Sequence, residues 1–233
     1  PQDVHTTFRR TPALTSAITM ATIAVLGTLD TKGEEHAYVA SRIRARGHQP
    51  LLIDVGILEA PGITPDIPRS EIAAAAGADL AALAARRDRG DAVAAMTLGA
   101  PVVLARLQRE GRIDGVISLG GGGGTAIGTA AMRALPVGFP KLMVSTLASG
   151  NTAPYVGVKD IVMMPSVADV AGLNRLSRKL LAQAAGAICG MVETPAPTAA
   201  SDRPVVVASQ FGNTTPCVTH ARTLLEAAGY EVM

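Results

Sequence analysis

Short apolar runs alternate with helix-patterned stretches along this chain, and that alternation leaves few folds open. Residues 22–26 (Thr-Ile-Ala-Val-Leu) are apolar or β-branched throughout and stop at Gly27, the pattern of a strand buried on both faces. Residues 33–46 follow with helical spacing: Ala37, Tyr38, Ala40 and Ile43 share a face, and Gly47 is the stop. A second apolar run, 50–55, ends at Gly56. Strand, helix and strand at this spacing form a βαβ unit, whose crossover is right-handed. The grammar recurs as a strand at 114–119, a helix at 125–134, strands at 141–145 and 160–164, and a long helix at 173–192. The expected fold class is α/β: a doubly wound, mostly parallel, Rossmann-like sheet.

Between the second and third strands lies a loop, 56–70, marked by Pro61, Gly62, Pro65 and Pro68. The Ala-rich stretch 69–110 predicts two or three helices, with breaks near Gly77 and around 86–90. Pro101 should kink the last of them or mark a break.

Domain organisation reads as follows. Residues 20–192 form the first α/β domain, and the Pro- and Ala-rich, aperiodic segment 193–204 is a linker. Residues 205–233 (strand 205–208, helix 214–228, strand 230–233) are the start of a second, truncated α/β domain, because one βαβ fragment supplies no core of its own. Met20 reads as a natural start, with 1–19 an N-terminal extension. Arg9 and Arg10 before an apolar stretch imitate an export signal, but no small-x-small cleavage site follows.

Composition narrows the partners. A net charge of +2 gives no electrostatic footprint for nucleic acid or an anionic membrane. Aromatics are 3% with no Trp, too few for a base-stacking surface. The scattered histidines and the cysteines Cys189 and Cys217 show no metal-ligand spacing, so no protein zinc site is expected. Two unpatterned cysteines fit a reducing compartment, and the expected localisation is cytoplasmic. No membrane span is expected either, since 18 uninterrupted apolar residues never occur.

Three polar loops carry the candidate chemistry. Gly120, Gly121, Gly122, Gly123 and Gly124, followed by Thr125, join a strand to a helix. Five glycines allow positive φ and bring several N–H groups to one point beside a helix N-terminus, which suits a phosphate or carboxylate. Thr125 can cap the helix or donate to the anion. The packing alternative is that the glycines, with Gly128, let helix and sheet approach closely. The run is neither a Walker loop, which needs a Lys, nor the spacing of a dinucleotide fold, so NAD is disfavoured.

The second loop is Gly27, Thr28, Leu29, Asp30, Thr31 and Lys32, after the first strand. Its hydroxyls, ammonium and carboxylate suit a phosphate, a ribose or a metal; equally, Asp30 or Thr31 can cap the helix that follows. The third, 145–155 (Ser-Thr-Leu-Ala-Ser-Gly-Asn-Thr-Ala-Pro-Tyr), either reads a ligand or is a hydrated turn. In a doubly wound sheet these loops share the carboxyl edge, where ligands bind. Nucleophilic catalysis has little support: there is no G-x-S-x-G elbow, and Cys189 sits on an apolar helix face.

Four stretches in order, 24–35, 53–56, 119–125 and 144–151, resemble the Tm-one-like ATP-binding family, which includes a tomato mosaic virus resistance protein and uncharacterised bacterial relatives. The resemblance implies an N-terminal ATP-binding α/β domain followed by a second α/β domain. Carried over by position, it implies nucleotide contacts at Gly27, Thr28, Asp30, Thr31 and Lys32. It also implies them at Gly121, Gly122, Gly123, Gly124 and Thr125, and at Thr146, Ser149, Gly150, Asn151 and Thr152.

The expectation is therefore a protein that binds ATP, with Mg²⁺ near Asp30, or another anionic small molecule, and that forms a homodimer or higher homo-oligomer. The alternative is an enzyme, a transferase or hydrolase, acting on a small phosphorylated or carboxylated substrate in a two-domain cleft.

Overall fold

The first apolar run becomes a central strand because its side chains are wanted on both sides of a sheet. In the computed structural model, β1 (Thr22–Gly27) turns Ala24 and Leu26 to one face and Ile23 and Val25 to the other, all buried. The structure describes residues 19–57, 63–194 and 203–233. The N-terminal extension, except its last residue, and most of the 193–204 linker lie outside the described residues.

Four more strands join β1: β2 (Gln49–Asp54), β3 (Gly115–Gly120), β4 (Lys141–Ser145) and β5 (Val162–Pro165). All pair in parallel, in the order β2-β1-β3-β4-β5. The doubly wound α/β class is thus the observed one. Its order is the one in which the chain reverses direction across the sheet between β1 and β3.

Helices cover both faces. On one face α2 (Arg69–Ala75), α4 (Arg89–Arg109) and α5 (Gly122–Arg133) bury Ile72, Met96, Leu104 and Ile127 against β1 and β3. On the other, α1 (Leu29–Ala45) and α7 (Arg175–Glu193) bury Val39, Ile43, Leu181 and Ile188 against Val25, Ile117 and Val144. The short helix α3 (Leu80–Arg86) joins α2 to α4, and α6 (Ala153–Val156) lies between β4 and β5. Burial of apolar area at roughly 25 cal/mol per Å² is what holds the layers together.

Two local expectations are revised. Of the kink or break expected at Pro101, the break does not occur: α4 runs through it. The proline forfeits one hydrogen bond, but burial of Met96, Ala100, Val103, Leu104 and Leu107 along the helix outweighs it. The same helix is, by length and composition, apolar enough to cross a membrane; here its apolar stripe packs on α2 and α5. Helix α1 begins at Leu29 rather than near Gly33, with Lys32 in a non-helical conformation (φ −134°) that separates its first turn from the rest. The Thr28 carbonyl accepts the amides of Thr31 (3.2 Å) and Lys32 (2.9 Å), and Asp54 accepts that of Leu29 (3.2 Å), so the turn is held from outside the helix.

The chain divides into two compact units at Thr194 and Pro195. In the second, β6 (Val205–Val206) pairs in parallel with β7 (Glu231–Val232), joined by α8 (Thr215–Ala227). Phe211 and Leu224 of that unit are exposed.

Candidate functional site

The glycine run is not a loop. Gly121 (φ −84°) is the N-cap of α5, and Gly122, Gly123 and Gly124 are its first turn; none of the run has positive φ. The expected positive-φ cradle is thus corrected to a helix N-terminus. The Thr125 amide donates to the Gly121 carbonyl at 2.8 Å, as an α-helix requires. The amides of Gly122, Gly123 and Gly124 precede that bond and have no acceptor among the described residues. Their dipoles add to a positive end of roughly half a charge.

Close approach explains the glycine that opens the run. A Cβ on Gly120 would lie 2.9 Å from the Gly124 Cα, so helix and strand meet without side chains between them. Thr125 is fully buried, bonded through its hydroxyl to Ser145 Oγ (2.7 Å), and so pins α5 to β4 rather than facing solvent.

A cleft of about 770 Å³ opens at this helix end, outside the carboxyl ends of β1, β2 and β3. Such a crevice at the β1/β3 reversal is where doubly wound sheets bind ligands. Of the residues singled out by sequence, Thr28, Asp30, Thr31, Lys32, Gly121, Gly123 and Gly124 line it. Gly27 lies beneath, where a Cβ would fall 1.8 Å from His36 Nε2. Asp30 turns its carboxylate to the Ile57 amide (3.0 Å) rather than capping α1. The Lys32 ammonium donates to the Val170 carbonyl and so ties the segment after β5 to the cleft wall.

The third loop goes elsewhere. Thr146 and Ser149 border a second depression of about 640 Å³ beyond β4 and β5; Gly150, Asn151 and Thr152 border neither cavity. Asn151 instead accepts the Ala153 amide (3.1 Å) and opens α6.

Sequence reasoning missed two cations. Arg87, in the left-handed C-cap of α3 (φ 52°), and Arg89, the first residue of α4, both line the cleft. The Arg89 guanidinium comes within 3.9 Å of the place a Cβ on Gly123 would occupy. Neither arginine has a hydrogen-bond or ion-pair partner among the described residues. The signal was the charged cluster Arg86, Arg87, Asp88 and Arg89 between two apolar helices. Asp88 caps α4 through the Asp91 amide and Arg86 pairs with Asp91 (3.3 Å), which leaves the other two unspent. Asp169 and the apolar wall of Val55, Ile57, Val93 and Ile127 were missed as well.

The floor is rigid. Asp54, almost wholly buried, takes the amides of Leu29 and Gly56 on one oxygen and the Arg69 guanidinium on the other. His36 is fully buried against Gly27. Burial pulls its pKa below 6.5, against the opposing bond to the Lys32 carbonyl (2.6 Å), so it is neutral at pH 7. Burial pushes the Cys189 thiol up, which leaves it an inert core residue.

Taken with the sheet order, these residues define a doubly wound α/β domain with a crevice at its β1/β3 reversal, lined by open amides and unspent guanidiniums. The chain belongs to the uncharacterised protein family UPF0261, whose N-terminal domain matches residues 21–197. It is 47% identical over 211 residues to a UPF0261 protein of Clostridium tetani, covering 91% of this chain and 52% of that protein. To a UPF0261 protein of Rhizobium meliloti it is 51% identical over 201 residues, 86% of this chain and 49% of the relative. To the ToMV resistance protein Tm-1(GCR237) of Solanum lycopersicum it is 39% identical over 150 residues, 62% of this chain and 20% of that protein. The chain thus spans about half the length of the bacterial relatives it matches, and the motif-level resemblance to the tomato protein's family holds.

Proposed function

We propose that this chain binds ATP, with the phosphates on the open amides of Gly122, Gly123 and Gly124 and on the guanidiniums of Arg87 and Arg89. One observation carries the reading: two glycines with unsatisfied amides, Gly123 and Gly124, and two arginines with unpartnered guanidiniums line one cleft, at the point of the sheet where ligands bind. The apolar wall of Val55, Ile57 and Val93 supplies a surface for the base, and Thr28 and Thr31 supply hydroxyls for the ribose. ATP as the particular nucleotide rests on the family resemblance. Asp30 is the carboxylate within the cleft that would hold Mg²⁺. No cluster of three or more His, Cys, Asp or Glu side chains exists among the described residues, so phosphate and water would supply most of the ion's ligands.

Calorimetric titration with ATP, ADP and NAD, each with and without Mg²⁺, tests the reading. Saturable binding selective for ATP supports it; a folded chain that takes none of the three overturns it. We also propose a cytoplasmic homo-oligomer. Leu98 and Val102 support the assembly, being exposed one turn apart on the outer side of α4, and sedimentation at micromolar concentration tests it.

The second reading, an enzyme acting on a small phosphorylated or carboxylated substrate, has its own support in the second depression, which adjoins the cleft and shares Asp169 with it.

A further inference from the structure

The second depression differs from the cleft in chemistry. The cleft carries Lys32, Arg87 and Arg89; among the described residues the depression has no Lys, Arg or His on its lining and one carboxylate, Asp169. It is therefore a poor seat for an anion. Two of its hydroxyls are already committed: Ser145 to Thr125 and the Leu147 amide, Ser166 to the Ala168 carbonyl (2.6 Å). Those of Thr146 and Ser149, and the Asp169 carboxylate, have no partner among the described residues.

Two of these unspent groups sit where the cavities meet. Asp169 lines both, and the Thr146 hydroxyl lies 3.7 Å from the place a Cβ on Gly121, the N-cap of α5, would occupy. The segment between them is held in an uncommon shape. The Ala168 amide closes on the Ser166 carbonyl (2.7 Å) around Val167, a β-branched residue at φ 64° whose side chain is exposed. Strain of this kind persists only where surrounding structure enforces it, and it gathers at ligand sites. Here Ser166 is anchored through its amide to the Ser145 carbonyl (3.1 Å), and Lys32 and Glu35 fix Val170 and Gly172.

We infer that the second depression seats an acceptor, a small uncharged polyol, and that Asp169 is the base that readies its hydroxyl for phosphoryl transfer from the nucleotide in the cleft. This rests on the ATP reading above. The acceptor oxygen forms a bond to the terminal phosphorus, the bond from that phosphorus to the bridging oxygen of ADP breaks, and the acceptor's proton passes to the Asp169 carboxylate. The products are a polyol monophosphate and ADP. The uncharged hydroxyls left on the lining suit the hydroxyls of a polyol.

The test uses the whole 233-residue chain with glycerol, erythritol and myo-inositol as probes. Saturation-transfer NMR reads probe binding, calorimetry reads ATP binding, and ³¹P NMR reads polyol phosphate. Expected are probe binding that Ser149→Leu abolishes, and polyol phosphate formation that Asp169→Asn lowers about 100-fold. Both variants should still take up ATP. Binding of ATP with no probe bound, or probe binding indifferent to Ser149→Leu, overturns this inference and leaves the ATP reading standing. So does probe binding without polyol phosphate. Failure of the unaltered chain to bind ATP overturns both.

Discussion

The Arg69 guanidinium reaches a single oxygen of Asp54 with two of its nitrogens, each at 2.6 Å, beneath the floor of the cleft. Asp54 ends β2 and Arg69 begins α2, so this pair ties the return from the proline-rich loop to the sheet edge that bounds the site. With the Leu29 and Gly56 amides on its other oxygen, the carboxylate also fixes the first turn of α1, from which Asp30 and Thr31 reach the cleft.

Removing one partner leaves the other buried and uncompensated. Asp54→Ala should destabilise the first unit by about 3–5 kcal/mol, read as a lower urea midpoint at neutral pH. A midpoint within error of the unaltered chain would mean that the pair holds nothing in place.

Glycines of the same run should respond in opposite directions. Gly120→Ala places a Cβ 2.9 Å from the Gly124 Cα, backbone that cannot step aside, and should cost about 1–3 kcal/mol. Gly122→Ala meets no atom within 4 Å in a helical first turn and should stabilise by about 0.5–1 kcal/mol. Thermal unfolding of the two variants side by side checks both signs.

Arg89→Ala should weaken ATP binding by about 10- to 100-fold, the worth of one set of charge-assisted hydrogen bonds at roughly 1.5–3 kcal/mol. Its urea midpoint should not move, because Arg89 holds no partner among the described residues. Lys32→Ala should instead loosen the segment around Val170, read as faster amide exchange there.

His36 makes stability fall with acid. Its folded pKa lies below 6.5, so the unfolded chain binds the proton more readily. The contribution is present in full above about pH 6.5 and is lost as pH falls from there through the folded value. Two carboxylates act in the same direction at lower pH. Glu193 is held below 4.5 by the bond from His48, against the cost of burial, with Arg46 assisting. At Asp160 burial pushes upward, but Lys141 and the Gly138 amide outweigh it and hold the carboxyl below 3.8. Urea midpoints measured from about pH 7.5 down to 4.5 should decline, and His36→Gln should flatten the upper part of that decline.

Much of the architecture was legible in the chain. Runs such as 23–26 and 142–144 are apolar at every position because helices cover both sheet faces, and that burial leaves a direct mark on the sequence. The edges of elements were less so: α1 starts at Leu29 because Asp54, distant in sequence, holds its first turn. Pro101 sits within α4 because packing on α2 and α5 overrides a local preference.

At the site, the sequence by itself determined that glycines and hydroxyls would follow the first, third and fourth strands, since alternation dictates which segments reach the carboxyl edge. Tertiary structure decided which of them share a cavity. The sheet order β2-β1-β3-β4-β5 puts the turns after β1 and β3 around one cleft and sends Thr146 and Ser149 to another. It also brings in Arg87, Arg89 and Asp169 from connections that carry no motif. Periodicity records which face of a segment is buried; which segments become neighbours is set by crossovers between residues far apart in the chain.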